Sequence, residues 1–216
     1  MTLSNLLRQV GAYVDQEATE PTGSDLTLRI NYANRALGDW ADAYDWNELT
    51  KKTALYASTA STTVISLPSN FKKPMSALYH YDATTPTKYE IIDKNDAYVT
   101  DPSKYVCYVD GNTVEGYSLV VPRGLSSGAS LLMDIQVFPS SLATLTDVVP
   151  MSTPGFIVTQ TIAYVLESRS DSRFPLVKSD AQRWLFNMLE AQHAKSLGQD
   201  NSIKMRSTAF RIGRGR

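Results

Sequence analysis

Cysteine occurs once in this chain, at Cys107, and histidine twice, at His80 and His193. A single thiol excludes an intrachain disulfide, so nothing in the cysteine pattern points to an oxidising compartment. One cysteine and two distant histidines offer no zinc spacing. A hydrolase needs a nucleophile with a base beside it, and the sequence places neither histidine near a particular serine. His80 lies in LYHYD, a strand pattern that turns it away from the face shared by Tyr79 and Tyr81. His193 lies in EAQHAKS, on the polar side of the last helical segment. Both read as ordinary surface or half-buried residues. The phosphate-cradling patterns GxxxxGK[ST] and GxGxxG are missing as well. No apolar run approaches the ~20 residues of a membrane span. The opening MTLSNLLRQVGAYVDQE is too polar and too periodic for a signal peptide, so the expectation is a soluble protein kept in cytoplasm-like conditions.

The remaining chemical candidates are sparse. Asp39 and Asp42, spaced i, i+3, could share a cation, but a solvated helix face is the plainer reading. Glu90, Asp93 and Asp96 form the one local carboxylate cluster from which an enzyme site could be assembled. Cys107, between Val106 and Tyr108, reads as a small buried thiol in a strand. RGLSSGAS reads as a hairpin turn. Tyr79, Tyr81, Tyr89, Tyr98, Tyr105, Tyr108 and Tyr117 could stack on the bases of single-stranded nucleic acid. Without basic residues interleaved among them, sheet core and interface is the preferred role, because tyrosine has a dry face and a wet tip. The inventory therefore favours a protein of contacts: not an enzyme, with no cofactor and no metal.

What the sequence does have is polarity of charge. The net charge of its 216 residues is −1. The last sixteen, NSIKMRSTAFRIGRGR, contain Lys204, Arg206, Arg211, Arg214 and Arg216 and no acid, so the rest of the chain carries −6. Met205, Phe210 and Ile212 are interspersed among these cations. A basic arm with apolar teeth on an acidic body reads as an interaction tail. Gly213 and Gly215 argue against regular structure in the arm when the protein is alone. A simple solubility tail is the bland alternative, and the apolar teeth argue against it.

Leu3, Leu6, Leu7, Val10 and Val14 share one face of a helix that Thr2 can cap. After the turn-rich EATEPTGSD, Ser24 can cap a second helix whose apolar positions are Leu26, Ile30, Ala33, Leu37, Trp40 and Tyr44. Beyond DWNEL the texture changes to short β-branched and aromatic runs: TKKTALYAS, STTVISLP, ALYHYD, TKYEIID, YVCYVDG, GYSLVVP and SLLMDIQVF. These predict antiparallel strands. Pro68, Pro74, Pro86, Pro102, Pro122 and Pro139 are expected at strand ends or between strands. Helix returns at Thr153-Pro154, with Ile157, Val158, Ile162, Val165 and Leu166. In a last helix Ala181, Trp184, Leu185, Met188 and Leu189 are expected on the buried face, with Gly198 just past its end. The expected fold is α+β: N- and C-terminal helices in one bundle, a central antiparallel β-rich insertion projecting from it, and an extended C-terminal arm. The expected divisions are 1–48, 49–150, 151–198 and 199–216.

In this order, the features resemble the head–tail adaptor proteins of tailed bacteriophages, the connectors and gatekeepers that include tail-tube A-like subunits. The resemblance lies in INYANRALGDWADAYDWNELTKKTALYAS, a helix closing on Tyr-Asp-Trp and leading into a strand. It continues in TVISLPSNFKKPMSALYHYD, in KYEIIDKNDAY, and in the helix pair Pro154–Arg169 and Pro175–Leu197. It covers roughly residues 1–200, in architecture more than identity. The resemblance implies a virion structural protein made in the host cytoplasm and placed at the head–tail interface. It implies a homo-oligomeric ring, a dodecamer, below the portal protein and above a downstream tail or nozzle protein. Double-stranded DNA would pass through the bore without sequence-specific binding during ejection, and no membrane is involved. Lys204, Met205, Arg206, Phe210, Arg211, Ile212, Arg214 and Arg216 would then be the portal-binding arm. Two other readings compete: a nucleic-acid-binding protein that clamps phosphate with this arm, and a sugar-binding virion or surface domain built on the aromatic sheet.

Overall fold

The computed structural model describes residues 1–56, 62–82, 85–96, 101, 103–125 and 130–199. Among them are four α-helices, α1 (Leu3–Val14), α2 (Gly23–Ala43), α3 (Gly155–Ser168) and α4 (Phe174–Gln199). The strands are β1 (Thr50–Tyr56), β2 (Thr62–Ser66), β3 (Phe71–Pro74), β4 (Leu78–Asp82), β5 (Thr85–Ile91), β6 (Val106–Asn112), β7 (Gly116–Leu125) and β8 (Ser130–Val137). The arm residues 204–216 lie outside the described residues.

The helices are arranged around α3, which touches α1, α2 and α4. Its sequence, GFIVTQTIAYVLES, is apolar on most sides, and Phe156, Ile157, Val158 and Thr161 through Leu166 are buried. A helix with no polar face is stable only when covered all round. Amphipathic α1 covers it with Leu3, Leu6, Leu7, Val10 and Val14, and α2 with Ala33, Ala36, Leu37 and Trp40. The Thr2 hydroxyl caps α1 by accepting from Asn5 N at 3.3 Å. The first turn also donates to a loop, Leu3 N to Asp147 O at 2.8 Å and Ser4 N to Leu145 O at 3.0 Å. These bonds satisfy amides that a helix start otherwise leaves orphaned. At the other end of α1, Arg173 donates to Tyr13 O at 3.2 Å and Val14 O at 3.5 Å. The second helix starts one residue before Ser24, with Thr22 as its N-cap and Gly23 at φ 60°. The left-handed backbone there suits glycine.

The β region corrects the expected fold. It is not an antiparallel insertion on a bundle but an eight-stranded mixed sheet of order β1-β8-β4-β5-β6-β7-β2, with β3 also pairing β8. It has its own core, including Leu55, Phe71, Leu78, Tyr89, Cys107, Leu119, Leu131, Met133 and Ile135. One pair is parallel: Glu90 lies opposite Val106 and Ile91 opposite Cys107. The connection between β5 and β6 is long enough for a parallel return, which a tight turn could not make. RGLSSGAS is not the turn of a hairpin, because β7 pairs β6 and β2 while β8 pairs β1, β3 and β4. Residues 126–129 of it lie outside the described residues. The registers explain the arrangement. Thr50 faces Gln136 and Tyr56 faces Ser130, then Thr62 faces Leu125 and Ser66 faces Ser118. β1 with β8 and β2 with β7 thus make up the two halves of an antiparallel ribbon, and β4, β5 and β6 bridge those halves so that the sheet curls.

Two expected proline positions also shift. Pro122 lies within β7 and Pro86 within β5. Pro122 falls where the β2–β7 register slips, between the pairs Val64–Val120 and Thr62–Leu125. A bulge is one of the few places in a sheet that tolerates a missing N–H.

Candidate interaction surfaces

The two layers meet at the segment DWADAYDWNEL. Trp46 is fully buried and its ring stacks on Trp40 with centroids 5.4 Å apart. Its Nε1 donates to Trp40 O at 2.5 Å, and the carbonyl of Trp46 accepts from Gln136 Nε2 at 3.1 Å. Gln136, on β8, is completely buried and accepts from Thr50 Oγ1 at 2.8 Å. A buried amide is stable only when its polar atoms are partnered, so the indole–glutamine chain ties β8 to the end of α2. The long helix α4 reaches the same place. Gln192 Nε2 donates to Glu48 Oε2 at 3.1 Å, and Gln192 Oε1 accepts from Asn47 Nδ2 at 3.1 Å. His193 is exposed and packs edge-on against Tyr44, with ring centroids 5.4 Å apart.

At the opposite end of the helical layer an ion cluster joins α1, α2 and α3. Arg29 is buried and contacts Asp15 at 2.5 Å and Asp25 at 2.7 Å, while Arg169 contacts Asp15 at 2.6 Å. Burial raises the Asp15 carboxyl, but hydrogen bonds from Arg169 and Arg29 outweigh it and hold the group below the usual carboxylate range. Gly11 is required beside this cluster, since a Cβ there would stand 2.7 Å from Glu17 O.

Helix α4 covers the layer with a narrow stripe. Val177, Ala181, Met188 and Gln192 are buried, whereas Leu176, Trp184 and Phe186 are exposed. Trp184, expected on the buried face, instead lies at the edge of the stripe, 41% exposed. Its indole crosses the start of α3 so closely that a Cβ on Gly155 would be 2.9 Å from the ring. Helix α4 also continues through Gly198 to Gln199, so that glycine does not end it. Beside Trp184 runs a groove of about 330 Å³. Ile162 and Val177 are buried residues on its wall, Tyr13 and Trp184 are half-exposed, and Thr159, Asp180, Arg183 and Asn187 supply polar groups.

The other candidates fall as follows. His80 is buried, with its ring 6.5 Å from that of Tyr89. Cys107 is fully buried, and burial pushes its thiol up to about 12. Asp39 accepts from Gln160 Nε2 at 3.2 Å and from the Tyr164 hydroxyl, so α2 and α3 share it, while Asp42 is exposed. Glu90 faces Lys88 at 3.9 Å, and Asp93 accepts from Asn95 N at 2.8 Å in a local turn. No group of three or more His, Cys, Asp or Glu side chains placed to hold a metal ion occurs among the described residues. Tyr89 is buried and lies edge-on to Tyr105, centroids 5.4 Å apart; Tyr117 packs on Phe71 at 5.3 Å. Tyr98 lies outside the described residues. The fold brings Arg123 of β7 over the Tyr105 ring at 4.4 Å, a basic partner that linear spacing did not reveal.

Charge divides between the layers. Residues 1–49 and 138–199 carry 13 acids and 8 Lys or Arg, a net −5, whereas residues 50–137 carry 8 of each. The acidity of the body therefore sits in the helical layer, and the basic arm follows directly from its last helix. No known family model matches the chain, and no curated protein sequence matches it.

Proposed function

We propose that this protein is a structural subunit of a phage particle, a head–tail adaptor that repeats as a ring between portal and tail around the DNA channel. The observation that carries the reading is the placement of opposites: an acidic helical layer whose longest helix leads into a basic, apolar-toothed arm. A segment that orders on a partner loses roughly 1–2 kcal/mol of backbone entropy per residue. Surface ion pairs at about 0–1 kcal/mol seldom offset that, whereas apolar side chains at ~1.5–3 kcal/mol each do. Met205, Phe210 and Ile212 are thus the anchors, and Lys204, Arg206, Arg211, Arg214 and Arg216 choose an acidic groove on the portal and speed the encounter. Repetition around a ring multiplies a weak attachment. The long α4, exposed over most of its circumference, supplies the surface through which neighbouring subunits touch. The order of sequence features shared with adaptors supports the same assignment.

Electron microscopy of the purified protein mixed with the portal of the same virus tests it. A ring stacked coaxially on the portal, lost on deletion of residues 201–216, is the expected result. If the same deletion abolishes salt-sensitive DNA binding and leaves portal attachment unchanged, the arm is a phosphate clamp and the adaptor reading is wrong.

A further inference from the structure

We infer that the open edge of β2 is a self-association surface, on which two copies of this chain pair antiparallel across a two-fold axis through Val64. The sheet ends at β1 and at β2: among the described residues β1 pairs only with β8 and β2 only with β7. Leu67 N donates to Tyr117 O at 2.9 Å, in register with the pairs Ile65–Leu119 and Ser66–Ser118. Ladder bonds of an antiparallel pair fall on alternate residues. Leu67 and Ile65 therefore bond to β7, and Val64 and Ser66 turn their N–H and C=O groups away from it. Such an edge is a template for another strand unless charge, proline or a covering element blocks it. β1 is guarded by the exposed Lys51 and Lys52, and β3 by Lys72, Lys73 and Pro74. β2 reads TTVIS, with neither charge nor proline. Val64 is 55% exposed on it, so its side chain is open to a neighbour.

Charge and shape select a second copy as the occupant. A two-fold axis through Val64 sets that residue against its own counterpart and Ser66 against the second copy's Thr62. Like charges directly opposite would be destabilising, and no position of this edge is charged. Val64 exchanges two N–H···O bonds with its counterpart and adds a β-branched cross-strand contact. The wider charge agrees. Residues 50–137 carry 8 acids and 8 Lys or Arg, so copies that approach through their sheets meet no net repulsion, whereas two helical layers at −5 repel each other. A foreign peptide added to a sheet edge is recognised through pockets for its alternate side chains. The grooves beside Trp184, Arg29, Met75 and Met133 include no residue of β2. One short strand buries less than ~1,000 Å², so the dimer is weak and reversible. In a cyclic ring every interface is heterologous. The dimer is therefore a state of the free subunit and does not rest on the adaptor reading.

Sedimentation equilibrium of the full chain without any portal, from about 10 µM to about 1 mM, tests the inference in the range that a small contact calls for. The expected result is a monomer–dimer equilibrium, with amide exchange at Val64 and Ser66 slowing as concentration rises. Val64→Lys, at an exposed side chain, sets two cations face to face. Val64→Pro deletes the outward N–H without removing a bond to β7. Each should weaken dimerisation about tenfold or more. Phe186→Ala, on the exposed side of α4, should dimerise as the wild type does. A chain that stays monomeric to about 1 mM overturns the inference. So does a dimer that survives Val64→Lys, that is lost with Phe186→Ala, or in which exchange at Val64 and Ser66 does not slow, because each assigns the contact to another surface.

Discussion

The helical layer and the sheet are built on opposite plans. In the helical layer one apolar helix, α3, is wrapped by amphipathic neighbours, the acids outnumber the bases, and ion clusters hold the periphery. In the sheet the charges cancel, and the order comes from an antiparallel ribbon bent around Leu119, Leu131 and Ile135, all fully buried. The difference teaches where each layer is vulnerable. The helical layer depends on cross-helix polar ties as well as on its core, whereas the sheet depends on backbone register.

The largest effect is expected at the joint that makes the two plans one molecule. Trp46→Ala removes a buried indole and leaves the Trp40 carbonyl without its donor, for a loss of about 3–5 kcal/mol. Denaturation followed separately by helical and sheet signals should change from one transition to two; a single unshifted transition would mean that the layers do not communicate through this residue. Next is the sheet's own register. Gly111 has φ 111°, and a Cβ there would meet Gly116 O at 2.1 Å. Gly111→Ala therefore has to break the β6–β7 ladder, at about 2–4 kcal/mol, with amide-exchange protection lost first in β6 and β7.

A smaller effect is expected from the ion cluster. Asp15→Asn leaves Arg29 buried with Asp25 alone and should cost about 2 kcal/mol, below the ~3–5 kcal/mol of a fully stranded buried charge. The sign of its pH dependence follows from the lowered carboxyl. The contribution is complete above the unfolded value of ~3.9 and fades as pH falls through the lower folded one. The wild-type and Asp15→Asn stabilities should thus converge below about pH 4, and parallel curves across that range would remove the charge from the explanation. Smallest is deletion of residues 201–216, expected to change the melting temperature by no more than about 2 °C, since both hydrophobic cores are built from residues that precede the arm.

Much of the helical layer was legible. Spacing alone marked the apolar faces of α1, α2 and α3, and Thr2 announced its cap, because helix periodicity is a local property. Trp184 was misplaced for the same reason that it is interesting. A tryptophan on an apolar stripe reads as buried, and only tertiary packing over Gly155 reveals that one edge stays open. The sheet's strands were visible but their partners were not. RGLSSGAS has the composition of a hairpin turn, yet whether flanking strands pair with each other or with segments sixty residues away is decided by the whole chain. The parallel β5–β6 pair was equally invisible, since a short apolar run carries no direction. The groove combines one residue of α1, two of α3 and five of α4, a set that no motif can show.

The ribbon has a consequence for how the protein is born. Thr50 waits for Gln136, so the N-terminal half of the ribbon leaves the ribosome long before its mate exists. The helices that precede it wait still longer for α3. At ~5–20 residues per second the nascent chain spends several seconds with unsatisfied strands exposed. The sheet therefore cannot close before β8 is made, nor the helical core before α3, and slowing translation after Val137 should lengthen the protein's dependence on chaperones.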